Sequence, residues 1–274
     1  MTRTDIIKEL ERRGYKAECR NNVKNGIIFE GIVVGDKQVS PIIYTEKLIE
    51  KAEECGRNIY NVASEIIDIY EQNEDKEIPL ELLTSREFFL SHVSIGIQRK
   101  SNEDMEKQDC ELDPDELESY LLIKYRYDAG VGSMKINDYF LKQVGVDRLE
   151  AWETAKKNVC NDTVIESMEQ IMAETLGMSY DPDAEPDLPL YIISTVDKIK
   201  GASVILNRDK LKEFGKKHGT DKILVLPSSI HEMLIAPYQE WMDIEAMKNL
   251  VQEVNASEVL PEDRLIDKAY IMEL

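Results

Sequence analysis

The sequence predicts an α+β fold of antiparallel hairpins and helical pairs, followed by a C-terminal part with a mixed α/β sheet. Three observations lead to this prediction. Strand-like segments come in local pairs separated by helical pairs, an order typical of α+β proteins rather than of regularly alternating parallel sheets. Glycine or asparagine stands where tight turns are expected. The 274 residues, of which 42% are hydrophobic and 32% charged, can form one large domain or two modest ones.

The first 73 residues contain a helix, a hairpin and a helical pair. Apolar residues at helical spacing predict a helix that begins near Thr4 and ends at Gly14. Two strands then flank the Asn25-Gly26 pair, which favours a tight hairpin turn. Residues 45–73 predict two helices whose regularly spaced apolar residues form core faces.

The middle of the chain alternates between helical and acidic segments. A helix is predicted to begin at Ser85, and the acidic segment 103–118 that follows is predicted to be a loop. Residues 137–176 predict a short helix and then a long helical pair.

A second hairpin is predicted at residues 117–137, with glycines in its turn. Its polar residues Glu118, Tyr120 and Lys124 alternate out of register with apolar neighbours. Because successive side chains of a strand point to opposite faces, this alternation predicts that one face of the hairpin meets solvent.

The proline-containing acidic segment 181–187 is the best candidate for a linker. It divides the chain into an N-terminal part over residues 1–180 and a C-terminal part over residues 188–274, with one continuous domain as the alternative. The C-terminal part is predicted to begin with two strands, at residues 188–195 and 202–207. A basic helix, two apolar strands and a helical tail follow them.

Charge limits the classes of function. The net charge is −20 at pH 7, which argues against direct nucleic-acid binding because that requires a basic face. Residues 1–60 contain 11 Lys/Arg and 10 Asp/Glu, so the remaining residues carry −21. No apolar run approaches the ~20 residues of a membrane helix, and the N-terminus lacks the apolar core of a signal peptide. We therefore expect a cytoplasmic protein without membrane contact.

The acidic segment 103–118 holds nine acids and one lysine. Such segments are usually solvated surfaces, but they can also dock a basic protein partner or imitate the phosphates of a nucleic acid. On the second interpretation, the partner-binding residues are Asp104, Glu106, Asp109 and Glu111.

A polar cluster of Ser228, Ser229, His231 and Glu232 lies between two apolar strands, where unpaired polar groups are costly. These residue types can supply a nucleophile, its base and an orienting acid. However, neighbours on a strand point to opposite faces, and the cluster matches neither the G-x-S-x-G nor the H-E-x-x-H pattern. We predict a structural turn, with catalysis by this cluster as the alternative.

Other motifs do not indicate a cofactor or a metal. His92 lies beside two phenylalanines, and His218 ends a helix, where positive charge is favoured. The glycines at residues 130–133 lack both the Walker lysine and the dinucleotide pattern. The four cysteines are spaced too widely for a zinc knuckle or a dithiol site. We therefore expect reduced thiols, no metal and no cofactor.

Several segments resemble the domain-of-unknown-function 5688 family: NGIIFEGIVV followed by SPIIYTE, then GASVIL and ILVLPSSIHEMLIAP, and finally LVQEVNASEVLPEDRLIDKAY. The resemblance spans about residues 25–270, and its most specific piece is Pro-Ser-Ser-Ile-His-Glu. It implies a cytosolic protein of bacterial or mobile-element origin, and it implies no particular activity.

Two classes of function follow from the sequence. The first is a noncatalytic interaction or regulatory protein whose acidic surface meets a basic partner, with inhibition of a nucleic-acid-handling enzyme by charge mimicry as a special case. The alternative is a small-substrate hydrolase that uses Ser229 and His231. The anionic composition and the unpromising spacing of the polar cluster favour the first class.

Overall fold

The structure, a computed structural model, describes residues 1–35, 42–73, 80–127, 130–179 and 189–274. These residues form two compact units, the first over Met1–Ser85 together with Tyr127 and the second over Arg86–Arg126 and Gly130–Leu274. The second unit thus begins at the helix that the sequence predicts near Ser85. The predicted linker at 181–187 lies outside the described residues, and with it the predicted division between the N-terminal and C-terminal parts.

The first unit contains a three-stranded antiparallel sheet in the order β1-β2-β3. Its strands are β1 (Ala17–Lys24), β2 (Ile27–Val34) and β3 (Ile43–Tyr44), and its helices are α1 (Arg3–Arg12), α2 (Glu46–Glu54), α3 (Ile59–Asn73) and α4 (Leu80–Leu83). Asn25 and Gly26 form the turn between β1 and β2 with φ angles of 50° and 80°, as a tight hairpin requires. The predicted hairpin and the predicted helices before and after it are confirmed.

The core of the first unit joins the sheet to its helices. Leu10 of α1, Ile32 of β2 and Ile66 of α3 are fully buried in one cluster. Helix α1 begins earlier than the sequence predicts because Thr2 caps it. The Thr2 hydroxyl accepts the Asp5 amide, and the Asp5 carboxylate accepts the Thr2 amide in return.

The second unit contains most of the helices and two further sheets. Its helices are α5 (Arg86–His92), α6 (Asp138–Val144), α7 (Arg148–Asn161), α8 (Met168–Leu176), a 3₁₀ helix (Gly201–Leu206), α9 (Arg208–Lys217) and α10 (Ile244–Glu258). Its strands are β4 (Val93–Arg99), β5 (Lys107–Asp109), β6 (Leu117–Tyr127), β7 (Gly130–Lys135), β8 (Thr163–Ser167), β9 (Tyr191–Thr195), β10 (Lys222–Leu226), β11 (Glu232–Pro237) and β12 (Tyr270–Glu273).

One sheet of the second unit has the order β12-β10-β11-β9-β8, and the other has β4-β6-β5 with β7 also paired to β6. All pairings whose register is described are antiparallel. The C-terminal sheet predicted as mixed is therefore antiparallel in those pairings, and the α+β class is confirmed.

The central strands of the five-stranded sheet are buried on both faces. Along β10, Ile223 and Val225 join the larger core of the unit, whereas Leu224 and Leu226 join a second core that includes Val251 of α10. Alternate side chains point to opposite faces of a strand. A strand covered on both sides therefore needs the continuous apolar run that this segment shows.

Three segments differ from the sequence prediction. Residues 202–207, predicted as a strand, lie largely in the 3₁₀ helix; residues 163–167 form β8 where a helix is predicted; and residues 107–109 form β5 inside a predicted loop. Each depends on a partner distant in the chain. The Ser203 hydroxyl of the 3₁₀ helix donates to the Ile95 carbonyl at 2.5 Å, β8 pairs with β9, and β5 pairs with β6. Local spacing carries no signal for such partners.

The face of β6 that is predicted to meet solvent is buried, so that prediction is wrong. Glu118 and Tyr120 are 4% and 1% exposed, and the Lys124 side chain is 11% exposed. The cause is coverage by other segments of the unit. Met105 packs against Tyr120, while Glu118 and Lys124 each bind polar groups that lie far from them in the chain.

Candidate functional site

The predicted Ser-His cluster occupies the turn between β10 and β11. The Ser229 hydroxyl oxygen accepts the main-chain amides of His231 and Glu232 at 3.1 and 3.2 Å. A serine that bonds amides two and three residues ahead closes a turn of the main chain. The oxygen that a hydrolase would use as its nucleophile thus stabilises the loop.

The side chain of His231 points to other partners. Its Nδ1 accepts the Lys200 amide at 3.2 Å, and its Nε2 lies 3.3 Å from Oδ1 of Asp263. The neutral ring therefore carries its proton on Nε2, facing the carboxylate. Ser228 is buried and donates to the Asn255 side chain at 2.8 Å. Among the described residues, no hydrogen bond joins either serine hydroxyl to the His231 ring.

We expect Ser229→Ala and His231→Ala each to lower the free energy of unfolding by about 1–3 kcal/mol, the usual cost of stranding buried polar partners. Denaturant titration measures this loss. Ser257→Ala is the control, because this helix serine bonds only main-chain carbonyls at an exposed position. An esterase and peptidase screen accompanies the measurement. Variants with the parent's stability but without a hydrolysis that the parent performs would support catalysis instead.

The acidic segment 103–118 divides into buried and exposed carboxylates. Glu106 is 6% exposed, accepts the Trp152 indole N–H at 3.0 Å and pairs with Arg148. Glu118 is also buried, and it accepts the Gln98 amide at 2.9 Å and pairs with Lys107 at 3.2 Å. These acids are internal partners for donors of the same unit rather than a solvated surface.

Asp113 is a third buried acid of this segment, and its side chain accepts four hydrogen bonds. Its carboxylate accepts the Lys268 ammonium at 2.7 Å, the Tyr270 hydroxyl at 2.5 Å, and the amides of Asp115 and Glu116 at 3.0 and 2.9 Å. Burial alone would raise the pKa of Asp113, but these hydrogen bonds outweigh it and hold the pKa well below its ordinary value. The network ties the β5–β6 loop to the C-terminal strand.

Three of the four predicted partner-binding acids are exposed. Asp104 is exposed, and the side chains of Asp109 and Glu111 are 69% and 64% exposed. Asp109 pairs with Lys100 at 2.8 Å and Glu111 with Arg208 at 3.5 Å. Glu106, the fourth acid, is buried and bonded within the unit, so it does not belong to this surface. We call Asp104, Asp109 and Glu111 the acidic surface.

A cleft of about 430 Å³ in the second unit brings together polar groups that the sequence patterns do not connect. They come from the α5–β4 junction, β6, the end of α7 and the loop after β9: His92, Ser94, Lys124, Asn158, Asp162 and Asp197. A concave site with a few convergent polar groups is the usual form of a small-molecule site. The one sequence signal is Lys124 directly after the apolar run Leu121–Ile123, because a buried lysine needs a carboxylate partner.

Lys124 is neutralised within this cleft. Its ammonium contacts both carboxylate oxygens of Asp197 at 3.1 and 3.2 Å, the Ile199 carbonyl at 3.1 Å and the Thr195 hydroxyl at 3.4 Å. Burial alone would raise the pKa of Asp197, but the Ile199 amide, the Thr195 hydroxyl and Lys124 hold it below its ordinary value. This ion pair holds the loop after β9 in place.

Two expectations from the sequence concern a metal-binding cluster and a membrane-spanning helix. Within the ranges that the structure describes, His, Cys, Asp and Glu form no group of three or more suited to a metal ion. The same residues include no helix with the length and apolar character to cross a membrane. Cys19, Cys55, Cys110 and Cys160 are free thiols, and desolvation raises the pKa of Cys110.

Comparison with known proteins gives one match. No curated protein and no solved structure matches the chain. The model of the family of unknown function DUF5688 matches residues 2–273, nearly the whole chain. The protein therefore belongs to the DUF5688 family.

Proposed function

We propose that this protein is a noncatalytic interaction protein that docks a basic protein partner through its acidic surface, in the cytoplasm of a bacterium or as a product of a mobile element. The observation that supports this proposal is the exposure of Asp104, Asp109 and Glu111 in a chain of net charge −20. Exposed pairs such as Asp109–Lys100 contribute little to stability, so these carboxylates are available to a partner.

An acidic surface affects the rate of association with a basic partner more than the rate of dissociation. Opposite charges attract over a Debye length of ~10 Å at 0.1 M salt and ~3 Å at 1 M salt, so association with a basic partner is fast at low salt and slows as salt is added. Carboxylates at exposed positions also resemble the phosphates of a nucleic acid. The special case of this proposal is inhibition of a nucleic-acid-handling enzyme, which competing DNA or RNA would relieve.

The hydrolase alternative has less support. Ser229 accepts two main-chain amides, and the His231 ring faces Lys200 and Asp263. A nucleophile and its base lie within hydrogen-bond reach of each other in sites of this kind. The contacts of this cluster are instead those of a turn.

Charge reversal tests the acidic surface. Asp104→Lys, Asp109→Lys and Glu111→Lys in one variant are expected to slow association with a captured basic partner about tenfold or more at low salt, because electrostatic steering is lost. The matched control reverses Asp138, Glu213 and Glu245. These acids are also exposed, and each pairs with a lysine on its own helix.

Both variants change the net charge equally, so the difference between them isolates the acidic surface from total charge. Surface plasmon resonance at a series of salt concentrations measures the association rates, and thermal melting checks that both variants fold. Equal association rates for the two variants, or binding that does not change with salt, would contradict the proposal.

A further inference from the structure

The cleft beside Lys124 carries an inference that is independent of the acidic surface. We propose that this cleft binds a small molecule with a cationic, hydrogen-bond-donating head group, such as an amine or a guanidinium. Its volume of about 430 Å³ lies within the range of small-molecule sites. Three features of its lining argue for the class of ligand: its residual charge, its hydrogen-bond acceptors and the Ser94 hydroxyl, which has no hydrogen-bond partner among the described residues.

The residual charge of the cleft is negative. The Lys124 ammonium is bound by Asp197 and by main-chain and hydroxyl oxygens, so the charges of Lys124 and Asp197 cancel. Asp162, which directly follows α7, also lines the cleft, and its side chain is 38% exposed with a carboxylate oxygen 3.7 Å from the Lys124 ammonium. A carboxylate can accept about four hydrogen bonds. Asp162 thus retains capacity to pair with a ligand cation.

Two further polar groups of the cleft can accept hydrogen bonds. Nδ1 of His92 lies 2.9 Å from the Phe88 carbonyl, which can only accept, so the neutral ring carries its proton on Nδ1 and a lone pair on Nε2. The His92 ring stacks on the Phe88 ring, with 3.9 Å between the two ring centroids. Asn158 donates its amide N–H groups to the Leu90 and Val93 carbonyls at 3.0 and 2.8 Å. Its side-chain carbonyl has no described partner and can accept.

Ser94 supplies a separate observation. It is 6% exposed and lines the cleft, and no hydrogen bond of its hydroxyl occurs among the described residues. The hydroxyl borders the cleft and is therefore available to water or to a ligand there. A ligand head group in the cleft would satisfy this hydroxyl together with the acceptors of Asp162, Asn158 and His92.

Charge outside the cleft acts in the same direction. The chain carries a net charge of −20, and a negative field concentrates small cations at a concave site. The same field also attracts cations nonspecifically to the whole surface. The experiment must therefore separate binding in the cleft from general attraction.

Agmatine is the probe, because it carries a guanidinium and an amine on a short chain. Butylurea is the control ligand, since it keeps the four-carbon chain and nearly the shape of the guanidinium but carries neither charge. Isothermal titration calorimetry on the full chain is expected to show agmatine binding at least tenfold more tightly, the factor that a hydrogen bond between charged partners provides.

Three variants locate the site. Asp162→Asn is expected to weaken agmatine binding tenfold or more, and Ser94→Ala severalfold. Asp138→Asn, an exposed acid on α6, should leave binding unchanged. Thermal melting confirms that the variants fold. The triple charge reversal of the acidic surface should also leave agmatine binding within about threefold, which keeps this test distinct from that of the proposed function.

Three results would overturn the proposal: equal affinities for agmatine and its uncharged analogue, no binding at about 10 mM agmatine, or equal losses in Asp162→Asn and Asp138→Asn. The last result would show that agmatine only follows the net charge of the protein.

Discussion

Replacement of Asp113 by alanine is expected to lower the free energy of unfolding by about 2–4 kcal/mol. Hydrogen bonds to charged groups contribute about 1.5–3 kcal/mol, and Asp113 accepts four of them while its side chain is 7% exposed. This loss is smaller than the largest losses caused by removing one partner of a buried ion pair. The reason is that the Lys268 side chain is 40% exposed, so water can solvate its ammonium after the substitution. Denaturant titration measures the loss.

The control for Asp113 is its exposed neighbour Asp115. Asp115→Ala is expected to change stability by less than about 0.5 kcal/mol. The loss of stability in Asp113→Asn should lie between those of Asp113→Ala and Asp115→Ala, because asparagine keeps an acceptor oxygen but loses the charge. If Asp113→Ala were as stable as Asp115→Ala, the tie between the β5–β6 loop and the C-terminal strand would contribute nothing.

The stabilisation by Asp113 should also depend on pH. Because the folded pKa of Asp113 lies below its unfolded value of about 3.9, its contribution is complete above that pH and is lost as pH falls toward the folded pKa. The stability difference between the parent and Asp113→Asn is therefore expected to be constant near neutral pH and to shrink below about pH 4. A difference that grows with acidification would show that the folded pKa is raised instead.

Gly201→Ala is the second substitution with a large expected effect, a loss of about 3 kcal/mol from overpacking. A Cβ at this position would lie 2.3 Å from the Ser194 hydroxyl oxygen, 2.6 Å from the His231 carbonyl oxygen and 2.6 Å from the Thr195 amide nitrogen. Two of these atoms belong to the main chain of the five-stranded sheet or its loops, so they cannot rotate away. The 3₁₀ helix would have to move from its place against β9.

Gly145→Ala is the matched control for Gly201. Gly145 has a φ of 65°, and a Cβ there would meet no atom within 4 Å. The expected loss of stability is therefore that of placing alanine in a left-handed backbone conformation, about 1–2 kcal/mol. Adding Ser194→Ala to Gly201→Ala should recover only part of the loss, because the main-chain contacts remain. Thermal melting of the parent, the two single glycine variants and the double variant tests this order of stability losses. Equal losses for Gly201→Ala and Gly145→Ala would contradict the close packing around Gly201.

The sequence alone was sufficient wherever local rules govern structure. The Asn25-Gly26 turn, the helical pair of residues 46–73 and the apolar run of β10 all follow from turn chemistry or from spacing. The family resemblance also follows from sequence, since strings such as Pro-Ser-Ser-Ile-His-Glu are local. These features need no information about what lies across the core.

Packing between distant segments decided the rest. Residues 202–207 have the composition of a strand, but Ser203 bonds the Ile95 carbonyl and the segment becomes a 3₁₀ helix. Carboxylates in the acidic segment look alike in sequence, yet Glu106 faces Trp152 while Asp109 faces solvent. Burial depends on which partner a fold brings near.

The cleft shows the same limit for the candidate sites. The Ser-His cluster is contiguous in sequence, but its side chains bond the main chain and other segments. Ser94, Lys124 and Asp162 are scattered in sequence, and the fold brings them to one cleft. Sequence reports neighbours along the chain, whereas a binding site consists of neighbours in space, and these are set by how strands and helices from distant segments pack around a common core.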